Sequence, residues 1–559
     1  MKRPRLHGTD GIRGRADETF GTAMNWDDEG ALNALIEHRV LSNRAMRIIG
    51  EATGIHLLES IGESPLVVIG WDRRDANVAL VDALESGLGA AGCRTLRVGE
   101  LPTPGLHNAV LASAADAGMM VTASHNPATD SGVKFFDSEG YKSMPDVENR
   151  ISDIAWKLAD GGLAAPQKKG ESLEEIDGMT FYREALKNRL QELESMMSMK
   201  FETLDWSNVI PKDGLLLDCS GGAGTEWLAE GLSRRGLETI EVSSRLDPIN
   251  HNCGAGDFSP TAKWLNEELL MNESSHRLLW SIAQRLEDNE GIPPWEPGQI
   301  VGAALDGDGD RCLLIEAIEE GLQIVDGDRM CDEIMRAAIG AHSGPWKMAA
   351  SIESDLGLTA DLPRLGKHVS ITTAVGDRWL SAALWPTPDS RWFQSTELPR
   401  VIGTEDSGHL VMPAPCPNTS GTWALVGDGA ATLLATLLAR AALCENNSLP
   451  AFQGGWKKRI SIQPSVRERW TGDNELAILI QTSAEDWCNT SLNRTHVDGE
   501  PALLLLEGTL EELPISIAVR NSGTEAKTSI SIRFARGIHA DGDQLMEDLV
   551  NILTPLLKP

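Results

Sequence analysis

Short apolar runs followed by amphipathic helical patterns recur along the chain. Residues 66–70 and 215–218 are such runs, and each precedes a helical pattern, over residues 80–88 and 227–232, that ends before a glycine. A weaker third copy starts at residues 347–352. Short apolar runs bounded by turns predict buried strands, and strands that alternate with helices predict α/β units on mainly parallel sheets.

The C-terminal stretch follows a different pattern. Residues 514–519 and 529–534 alternate polar and apolar side chains, which predicts half-buried antiparallel strands with helices on one face. We therefore predict an α/β fold: three mixed α/β domains with mainly parallel sheets, followed by a smaller C-terminal α+β domain.

Domain boundaries are predicted where helical patterns give way to glycine, asparagine or charged clusters. Such changes occur near Lys187, Gly321 and Asn447. With 559 residues, the chain has room for three or four domains of the usual size. The predicted domains are residues 1–187, 188–321, 322–447 and 448–559.

The chain is strongly acidic, which narrows its range of partners. It carries 50 lysines and arginines against 82 aspartates and glutamates, a net charge of −32. This charge argues against nucleic acid or an anionic membrane as a partner, and it matches an acidic solvated shell such as salt-adapted proteins carry. A phosphorylated ligand would need a local basic pocket, for which the candidates are Arg13, Lys134, Arg311, Arg520 and Lys527.

The sequence also bears on location. The basic N-terminal residues precede no apolar signal-peptide core, and the apolar runs are too short to span a bilayer. The eight cysteines show neither a C-x-x-C pair nor zinc-ligand spacing. We expect a soluble, unexported, cytoplasmic protein.

The first candidate site is the segment T-A-S-H-N-P at residues 122–127. Turn-forming residues around Ser124 would present this serine to solvent on a rigid turn, as a phosphoryl carrier requires. A capping serine in a surface turn is the structural alternative. Serine-hydrolase chemistry is disfavoured, because no G-x-S-x-G surrounds Ser124 and His125 is its immediate neighbour.

The second candidate site is the string D-G-D-G-D-R at residues 306–311. Asp306, Asp308 and Asp310 alternate with glycines and can direct three carboxylates at one hard cation such as Mg²⁺. An EF-hand is excluded, since its sixth and twelfth positions would be Arg311 and Ala317. A haloacid-dehalogenase-type phosphatase is disfavoured by an aspartate at the fifth position of the motif.

Two further loops carry polar groups suited to a sugar phosphate. Residues 403–409 offer the carboxylate of Glu405, the hydroxyl of Ser407 and the imidazole of His409. Residues 520–525 offer a guanidinium, two hydroxyls and a flexible glycine from Arg520, Ser522, Thr524 and Gly523. An ordinary polar loop and a β-turn are the respective structural alternatives.

In this order the four segments resemble those of the α-D-phosphohexomutase superfamily, which interconverts sugar 1-phosphates and 6-phosphates. The N-terminal H-G-T-D-G-I-R-G at residues 7–14 adds a fifth match. The resemblance implies four domains around a central cleft, with Ser124 carrying the phosphoryl group and sharing one Mg²⁺ with the three aspartates. Thr404, Asn521 and Ala526 depart from the family pattern, which commonly has a glycine and two prolines there.

The resemblance also assigns roles to the remaining candidates. Lys134 would transfer protons, His125 would lie beside the phosphoserine, and Arg13 and Arg311 would assist catalysis. The loop at Glu405, Ser407 and His409 would bind sugar hydroxyls. The loop of Arg520, Ser522, Gly523 and Thr524 would hold the phosphate that is not being transferred.

Within the superfamily, residues 8–14 and 373–378 look most like phosphoglucosamine mutases. The implied reaction interconverts glucosamine 6-phosphate and glucosamine 1-phosphate through phospho-Ser124 and a 1,6-bisphosphate. Hexose or hexosamine phosphates and the bisphosphate are then the expected ligands, and a homodimer is left open. A phosphomannomutase/phosphoglucomutase is the alternative activity. A catalytically silent sugar-phosphate sensor is disfavoured because the reactive groups are retained.

Overall fold

The computed structural model describes residues 3–8, 10–16, 26–163, 169–271, 274–387, 389–446, 449–522 and 526–559. Four sheets with flanking helices form the fold: the first three are mixed and the fourth is antiparallel, which confirms the α/β class and the α+β character of the C-terminal part. All eight cysteines are free thiols, six of them buried. The described helices include none with the length and apolar content that crossing a bilayer requires.

The strands of the first two sheets run from β1 to β11. The first sheet has the order β1-β5-β4-β2-β3, and the second has the order β7-β6-β9-β10-β11-β8. Their bounds are β1 Ile12–Arg15, β2 Leu66–Trp71, β3 Arg94–Glu100, β4 Ala117–Val121, β5 Asp130–Asp137, β6 Leu215–Asp218, β7 Thr239–Glu241, β8 Lys263–Leu265, β9 Ile300–Leu305, β10 Cys312–Ile318 and β11 Gly321–Val325.

The third sheet has the order β13-β12-β15-β16-β17-β14, and the fourth has the order β18-β22-β21-β20-β19. Their bounds are β12 Lys347–Ser351, β13 Val369–Thr373, β14 Phe393–Gln394, β15 Val401–Thr404, β16 Leu410–Pro415, β17 Thr422–Gly427, β18 Trp456–Ile462, β19 Asn493–Arg494, β20 Leu504–Leu510, β21 Leu513–Asn521 and β22 Thr528–Phe534.

The α-helices of the described residues flank these sheets. Their bounds are α1 Asp28–His38, α2 Asn43–Ile61, α3 Asn77–Ala90, α4 Thr103–Ala112, α5 Pro145–Ala159, α6 Gly178–Met197, α7 Trp227–Ser233, α8 Asn266–Met271, α9 Arg277–Asp288, α10 Gly327–Ala341, α11 Leu356–Ala360, α12 Asp377–Leu384, α13 Gly429–Glu445, α14 Glu475–Cys488 and α15 Gly542–Leu557.

The predicted strand and helix units form as expected. In β2 the side chains of Val67, Val68 and Ile69 are fully buried, as a central strand covered on both faces requires. Helix starts are set by local polar residues: Ser42 caps α2 by accepting from the backbone N–H of Ala45. The alternating C-terminal segments correspond to β21 and β22.

Strand direction differs from the prediction in the first three sheets, which are mixed rather than mainly parallel. Parallel pairs occur on one side of each sheet, in β3-β2-β4, β7-β6-β9 and β13-β12-β15. The remaining pairs are antiparallel. Short connections explain this for β4 to β5, β9 to β10 to β11, and β15 to β16 to β17, whereas β1, β8 and β14 add to the sheet edges from other parts of the chain.

Two predicted domain limits fall inside regular structure. Helix α6 runs through Lys187, and the hairpin of β10 and β11 spans Gly321, so cutting there would split the second sheet. A charged position on an amphipathic helix and a hairpin glycine both resemble a linker in sequence. The limit near Asn447 lies outside the described residues, just after α13. The division into four domains stays a prediction.

The topology brings the candidate segments together. Thr122–Ser124 follows β4, Asp306 follows β9 and Glu405 follows β15, each at the carboxyl end of a strand with a parallel neighbour. Carboxyl ends of parallel strands form the edge at which open α/β sheets bind ligands. The three sheets therefore each contribute one loop to a common cleft.

Candidate active site

The serine turn is held in a strained conformation. Ser124 has a φ of 54°, in the left-handed region that non-glycine residues rarely adopt. Its backbone N–H donates to Oγ1 of Thr122 at 2.8 Å, and its Oγ donates to Oδ2 of Asp306 at 2.7 Å. The turn therefore fixes the direction in which the serine hydroxyl points.

Ser124 is buried, contrary to the prediction that its turn presents it to solvent. Its exposed fraction is 1%. The loop after β7 covers it: Asn250 donates to the carbonyl oxygens of Ser124 and Asn126 at 2.7 and 2.9 Å, and Gly256 lies against His125 so closely that a Cβ would clash. This cover comes from a distant segment and leaves no signal near the serine.

Arg74 holds the backbone of the serine turn through its guanidinium group. Its guanidinium donates at 2.6–3.1 Å to four carbonyl oxygens, those of Ser124, Asn126, Pro127 and Asp130. Arg74 also pairs with Asp72 at 3.0 Å, and both side chains are fully buried. Arg74 lies outside the predicted site segments, although its position just after β2, at the carboxyl end of a strand, is a sequence signal for it.

The three aspartates form a compact acidic group. Carboxylate oxygens of Asp306, Asp308 and Asp310 lie within 4.8 Å of one another, and all three residues are buried. Oδ1 of Asp308 and Oδ1 of Asp310 have no hydrogen-bond partner among the described residues. Buried carboxylate oxygens without donors are suited to a hard divalent cation, so the donor set fits Mg²⁺.

Two buried lysines balance these carboxylates. Nζ of Lys134 lies 2.7 Å from Asp308, 3.1 Å from Asp310 and 3.1 Å from Asp10. Burial lowers the pKa of Lys134, but these three carboxylates outweigh it and hold the pKa well above its ordinary value. Lys134 therefore carries its proton in this conformation.

Lys142 is the second buried lysine, and the sequence analysis missed it. Its Nζ lies 2.9 Å from Asp377 and 3.3 Å from both Asp10 and Asp310. It follows a turn after β5 and carries no motif that would mark it. Asp377, the first residue of α12, belongs to residues 373–378, which carry part of the family resemblance, but it had no predicted role in the site.

The other catalytic candidates surround the serine turn. Arg13 donates from Nη1 to Oδ1 of Asn126 and from Nη2 to Oδ2 of Asp10, both at 3.1 Å. The backbone N–H of Arg311 donates to Asp306 at 3.2 Å. Burial, together with Arg311 and Arg13, holds the pKa of His125 well below its ordinary value, so its ring is neutral.

The sugar loop is ordered by its neighbours. Glu405 accepts from the backbone N–H of Gly376 at 2.6 Å, and His409 lies 3.4 Å from Asp377 and 3.7 Å from Glu405. Burial raises the pKa of Glu405, while His409 and Arg311 counteract part of this rise. Ser407 lines the cleft beside them.

The fourth loop meets the third sheet. Arg520 donates from Nε and Nη2 to Oε1 of Glu353, at 3.1 and 3.0 Å. Ser522 lines the cleft, whereas Gly523 and Thr524 lie outside the described residues. The sequence analysis did not identify Glu353, which follows β12 at the same sheet edge as the other site loops.

A cleft of about 340 Å³ joins these groups. Its walls include most of the candidate side chains from all four sheets and their loops, namely Arg13, His125, Arg311, Glu405, Ser407, His409, Arg520, Ser522 and Lys527. Ser124, Lys134 and the three aspartates are buried next to this wall. The candidates that the structure describes are thus assembled at one place, at which cations and carboxylates alternate.

Comparison with known proteins identifies the relatives of this chain. Residues 4–161 match the family model of phosphoglucomutase/phosphomannomutase, alpha/beta/alpha domain I. A phosphoglucosamine mutase from Corynebacterium diphtheriae is 30% identical over 421 residues, covering 75% of this chain and 77% of that protein. One from Paracoccus denitrificans is 29% identical over 445 residues, 79% of each chain.

A solved structure extends the likeness to the whole fold. A phosphoglucomutase/phosphomannomutase family protein from Burkholderia thailandensis superposes with a TM-score of 0.58 at 18% identity, covering 100% of this chain and 98% of that one. As its motifs predict, the chain belongs to the α-D-phosphohexomutase superfamily and is a phosphohexomutase, an isomerase.

Proposed function

We propose that this phosphohexomutase interconverts glucosamine 6-phosphate and glucosamine 1-phosphate through a phosphoserine at Ser124. One observation carries the mechanism: the Ser124 hydroxyl is fixed in a left-handed turn, 2.7 Å from Asp306 and beside the acidic group. The substrate is suggested by relatives that are named phosphoglucosamine mutase.

In the proposed reaction the phosphoryl group passes from Ser124 to the free C1 or C6 hydroxyl of the sugar. The bond between phosphorus and Oγ of Ser124 and the O–H bond of the sugar hydroxyl break, and a bond from phosphorus to the sugar oxygen forms. Oγ of Ser124 gains one proton for the one that the sugar hydroxyl loses, and a 1,6-bisphosphate results. The bisphosphate turns over in the cleft, and Ser124 takes back the other phosphate. Because the enzyme ends as it began, the net reaction is an isomerisation.

Charged residues of this chain handle the protons and the phosphate charge. Lys134 carries its proton at the outset, so it is the proposed donor to the leaving oxygen, and in the reverse transfer its neutral form accepts a proton. Arg13 and Arg311 contribute positive charge near the turn, and the neutral His125 can donate or accept a hydrogen bond.

One Mg²⁺ per active site would be held by Asp306, Asp308, Asp310 and the phosphorylated Ser124. When bound, it would withdraw charge from the phosphoryl group and ease attack by a hydroxyl. The unpartnered Oδ1 atoms of Asp308 and Asp310 support this assignment.

Recognition of the sugar is assigned to the third and fourth loops. Glu405, Ser407 and His409 would bind sugar hydroxyls, and Arg520 with Ser522, Gly523 and Thr524 would bind the phosphate that is not being transferred. A bisphosphate that reverses its orientation must find the same partners for either end. A cleft lined from all four sheets supports this requirement.

Initial rates on glucosamine, glucose and mannose phosphates, with a bisphosphate activator and Mg²⁺ present, test the assignment. We expect the highest kcat/KM for glucosamine phosphate. A clear preference for glucose or mannose phosphate would replace it by the phosphomannomutase/phosphoglucomutase activity. Binding of all three without turnover would instead indicate a sugar-phosphate sensor.

A further inference from the structure

One face of the fourth sheet presents Arg459 and Arg520 to the cleft. Along β18, Lys457, Arg459 and Ser461 alternate with apolar or outward residues and share a face. Ser461 pairs with Ser529 of β22, and Ser529 pairs with Arg520 of β21. The register therefore places Arg459 on the same face of the sheet as Arg520. Arg459 lies two residues before Ser461 on β18, and Ser461 is in the row of Arg520.

A single carboxylate joins the two arginines. Oε1 of Glu353 accepts from Nε and Nη2 of Arg520 at 3.1 and 3.0 Å, and Oε2 of Glu353 accepts from Nη1 of Arg459. Glu353 belongs to the third sheet's edge, whereas both arginines belong to the fourth sheet. All three side chains line the cleft already described.

Glu353 is a permanent anion in this position. Burial raises its pKa, but Arg520 and Arg459 outweigh burial and lower the pKa to about 2. Only 12% of its side-chain area is exposed, and the exposed fractions are 16% for Arg520 and 33% for Arg459. The two guanidiniums thus converge on a position that the largely buried Glu353 carboxylate fills.

We propose that Arg459 is a second phosphate-binding arginine beside Arg520, and that the Glu353 carboxylate occupies the position of the substrate phosphate until that phosphate displaces it. This inference rests on the proposed function, in which Arg520 binds the phosphate that is not being transferred. Neither Arg459 nor Glu353 belongs to a segment that the sequence motifs identified.

The chemistry of the two anions makes the exchange feasible. Carboxylate and phosphate both accept paired N–H bonds from guanidinium groups, and a phosphate dianion brings more charge and a third oxygen. Without Glu353 the two guanidiniums would keep only longer carboxylate contacts, Arg520 with Glu500 at 3.7 Å and Arg459 with Asp406 at 3.8 Å. Glu353 therefore supplies the closest compensating charge while the phosphate is absent. Its pairing also links the third and fourth sheets while no phosphate is present.

Direct binding measurements with the full chain test the proposal without requiring turnover. Titration calorimetry uses inorganic phosphate and glucose 6-phosphate as probes, on wild type, Arg459→Ala, Glu353→Gln and the double variant. We expect Arg459→Ala to raise Kd about tenfold or more, as for loss of a charge-assisted pair, and Glu353→Gln to lower Kd several-fold.

The double variant separates the two roles of Arg459. If Arg459 binds phosphate, Arg459→Ala weakens binding in the Glu353→Gln background as well. If Arg459 serves only to hold Glu353, the substitution is silent in that background, which would overturn the proposal. Weaker phosphate binding by Glu353→Gln would overturn the displacement step.

Matched variants guard against misfolding. Lys458→Ala removes a cation from the next position of β18, where Lys458 faces away and pairs with Asp543 at 2.6 Å, and it should leave Kd unchanged. Arg459→Lys keeps the charge but loses the paired N–H geometry, so we expect an intermediate Kd. A wild-type Kd in both Arg459 variants would refute the inference. Should no hexose phosphate be turned over while these shifts occur, the proposed function fails and the anion site stands.

Discussion

The two ends of the cleft are built differently. At the serine end, comprising residues 122–127 and 306–311, three hydrogen bonds fix the backbone turn. Arg74 and Asn250 donate to the carbonyl oxygen of Ser124, and the backbone N–H of Ser124 donates to Oγ1 of Thr122. At the phosphate end, comprising Glu353, Arg459 and Arg520, ion pairs between two sheets take the place of such bonds.

This difference matches the two tasks of a mutase. A phosphoryl carrier benefits from donors and acceptors that are already in place, because no reorganisation is then required during transfer. A site that must release one end of a bisphosphate and accept the other benefits from partners that can exchange. In the proposed mechanism the serine end therefore needs rigidity, and the phosphate end needs replaceable anions.

Removing the hydroxyl at the serine end should have the largest effect. In Ser124→Ala no oxygen remains to carry the phosphoryl group, so we expect turnover to fall by roughly 10³-fold or more. Rates and intact-protein mass spectrometry measure turnover and the phosphorylated fraction. Ser113→Ala at the end of α4 serves as a control. Near-normal activity of Ser124→Ala would exclude the covalent route.

The acidic group is the next test of the serine end. Asp308→Asn removes one carboxylate charge and weakens the 2.7 Å contact with Lys134. We expect kcat to fall by about 10²-fold and the Mg²⁺ concentration for half-maximal rate to rise. Rates across a Mg²⁺ titration, together with calorimetry of Mg²⁺ binding, report both effects. An unchanged Mg²⁺ requirement, with no loss on chelation, would exclude this loop as the metal site.

Arg74 tests whether rigidity itself matters. Arg74→Lys keeps a cation beside Asp72 but cannot donate to four carbonyl oxygens at once. We expect kcat to fall by roughly 10- to 100-fold with KM little changed, because a misplaced nucleophile costs transition-state orientation. Arg73→Lys, which alters contacts to the second sheet's loops, should cost less. Equal losses for both would remove the special role of Arg74.

The sequence predicts these two ends unequally. Ser124 and the aspartates lie in local motifs, and the units around β2 and β6 follow from apolar patterns, so they could be predicted. Arg74 and Lys142 act through contacts to residues 50 or more positions away. The position of Arg74 just after β2 marks it as a candidate without showing what it binds, and no motif marks Lys142. Glu353 and Arg459 meet only when the third and fourth sheets pack together.

The burial of Ser124 and the mixed sheets went unpredicted for the same reason. Exposure of a turn depends on what covers it, and here the cover is the loop around Asn250. Strand direction depends on connection geometry, while an apolar run reads the same in a parallel or antiparallel pair. Residues that lie in local motifs can therefore be predicted from the sequence, whereas their burial and the direction of the strands around them depend on distant segments.

At the phosphate end, Arg520→Ala should act mainly on binding. In the proposed mechanism Arg520 anchors a phosphate that is present in ground state and transition state alike, so we expect KM to rise about tenfold with a smaller loss in kcat. Steady-state kinetics on each hexose phosphate measure the two parameters separately. A kinetically silent variant would reduce this loop to a turn between β21 and β22.

The smallest kinetic effect is expected at an interface that serves neither end. Glu316 of β10 accepts from Arg440 of α13 at 2.6 Å and from Arg329 of α10 at 2.7 Å. Burial raises its pKa, but these arginines outweigh burial and lower the pKa from 4.5 to about 2. At about 1.4 kcal/mol for each pH unit of pKa change, the pairing contributes on the order of 3 kcal/mol.

The pH dependence of this contribution has a defined sign. Because the folded-state pKa is depressed, the stabilisation is complete above about pH 4.5 and is lost as the pH falls towards 2. Glu316→Gln should therefore lower the urea midpoint of unfolding at pH 7, and its deficit should shrink between pH 4.5 and pH 3. Kinetic constants at neutral pH should be unchanged, and the exposed Glu63→Gln should alter neither quantity. A deficit independent of pH would show that packing, not the ion pair, joins the second and third sheets there.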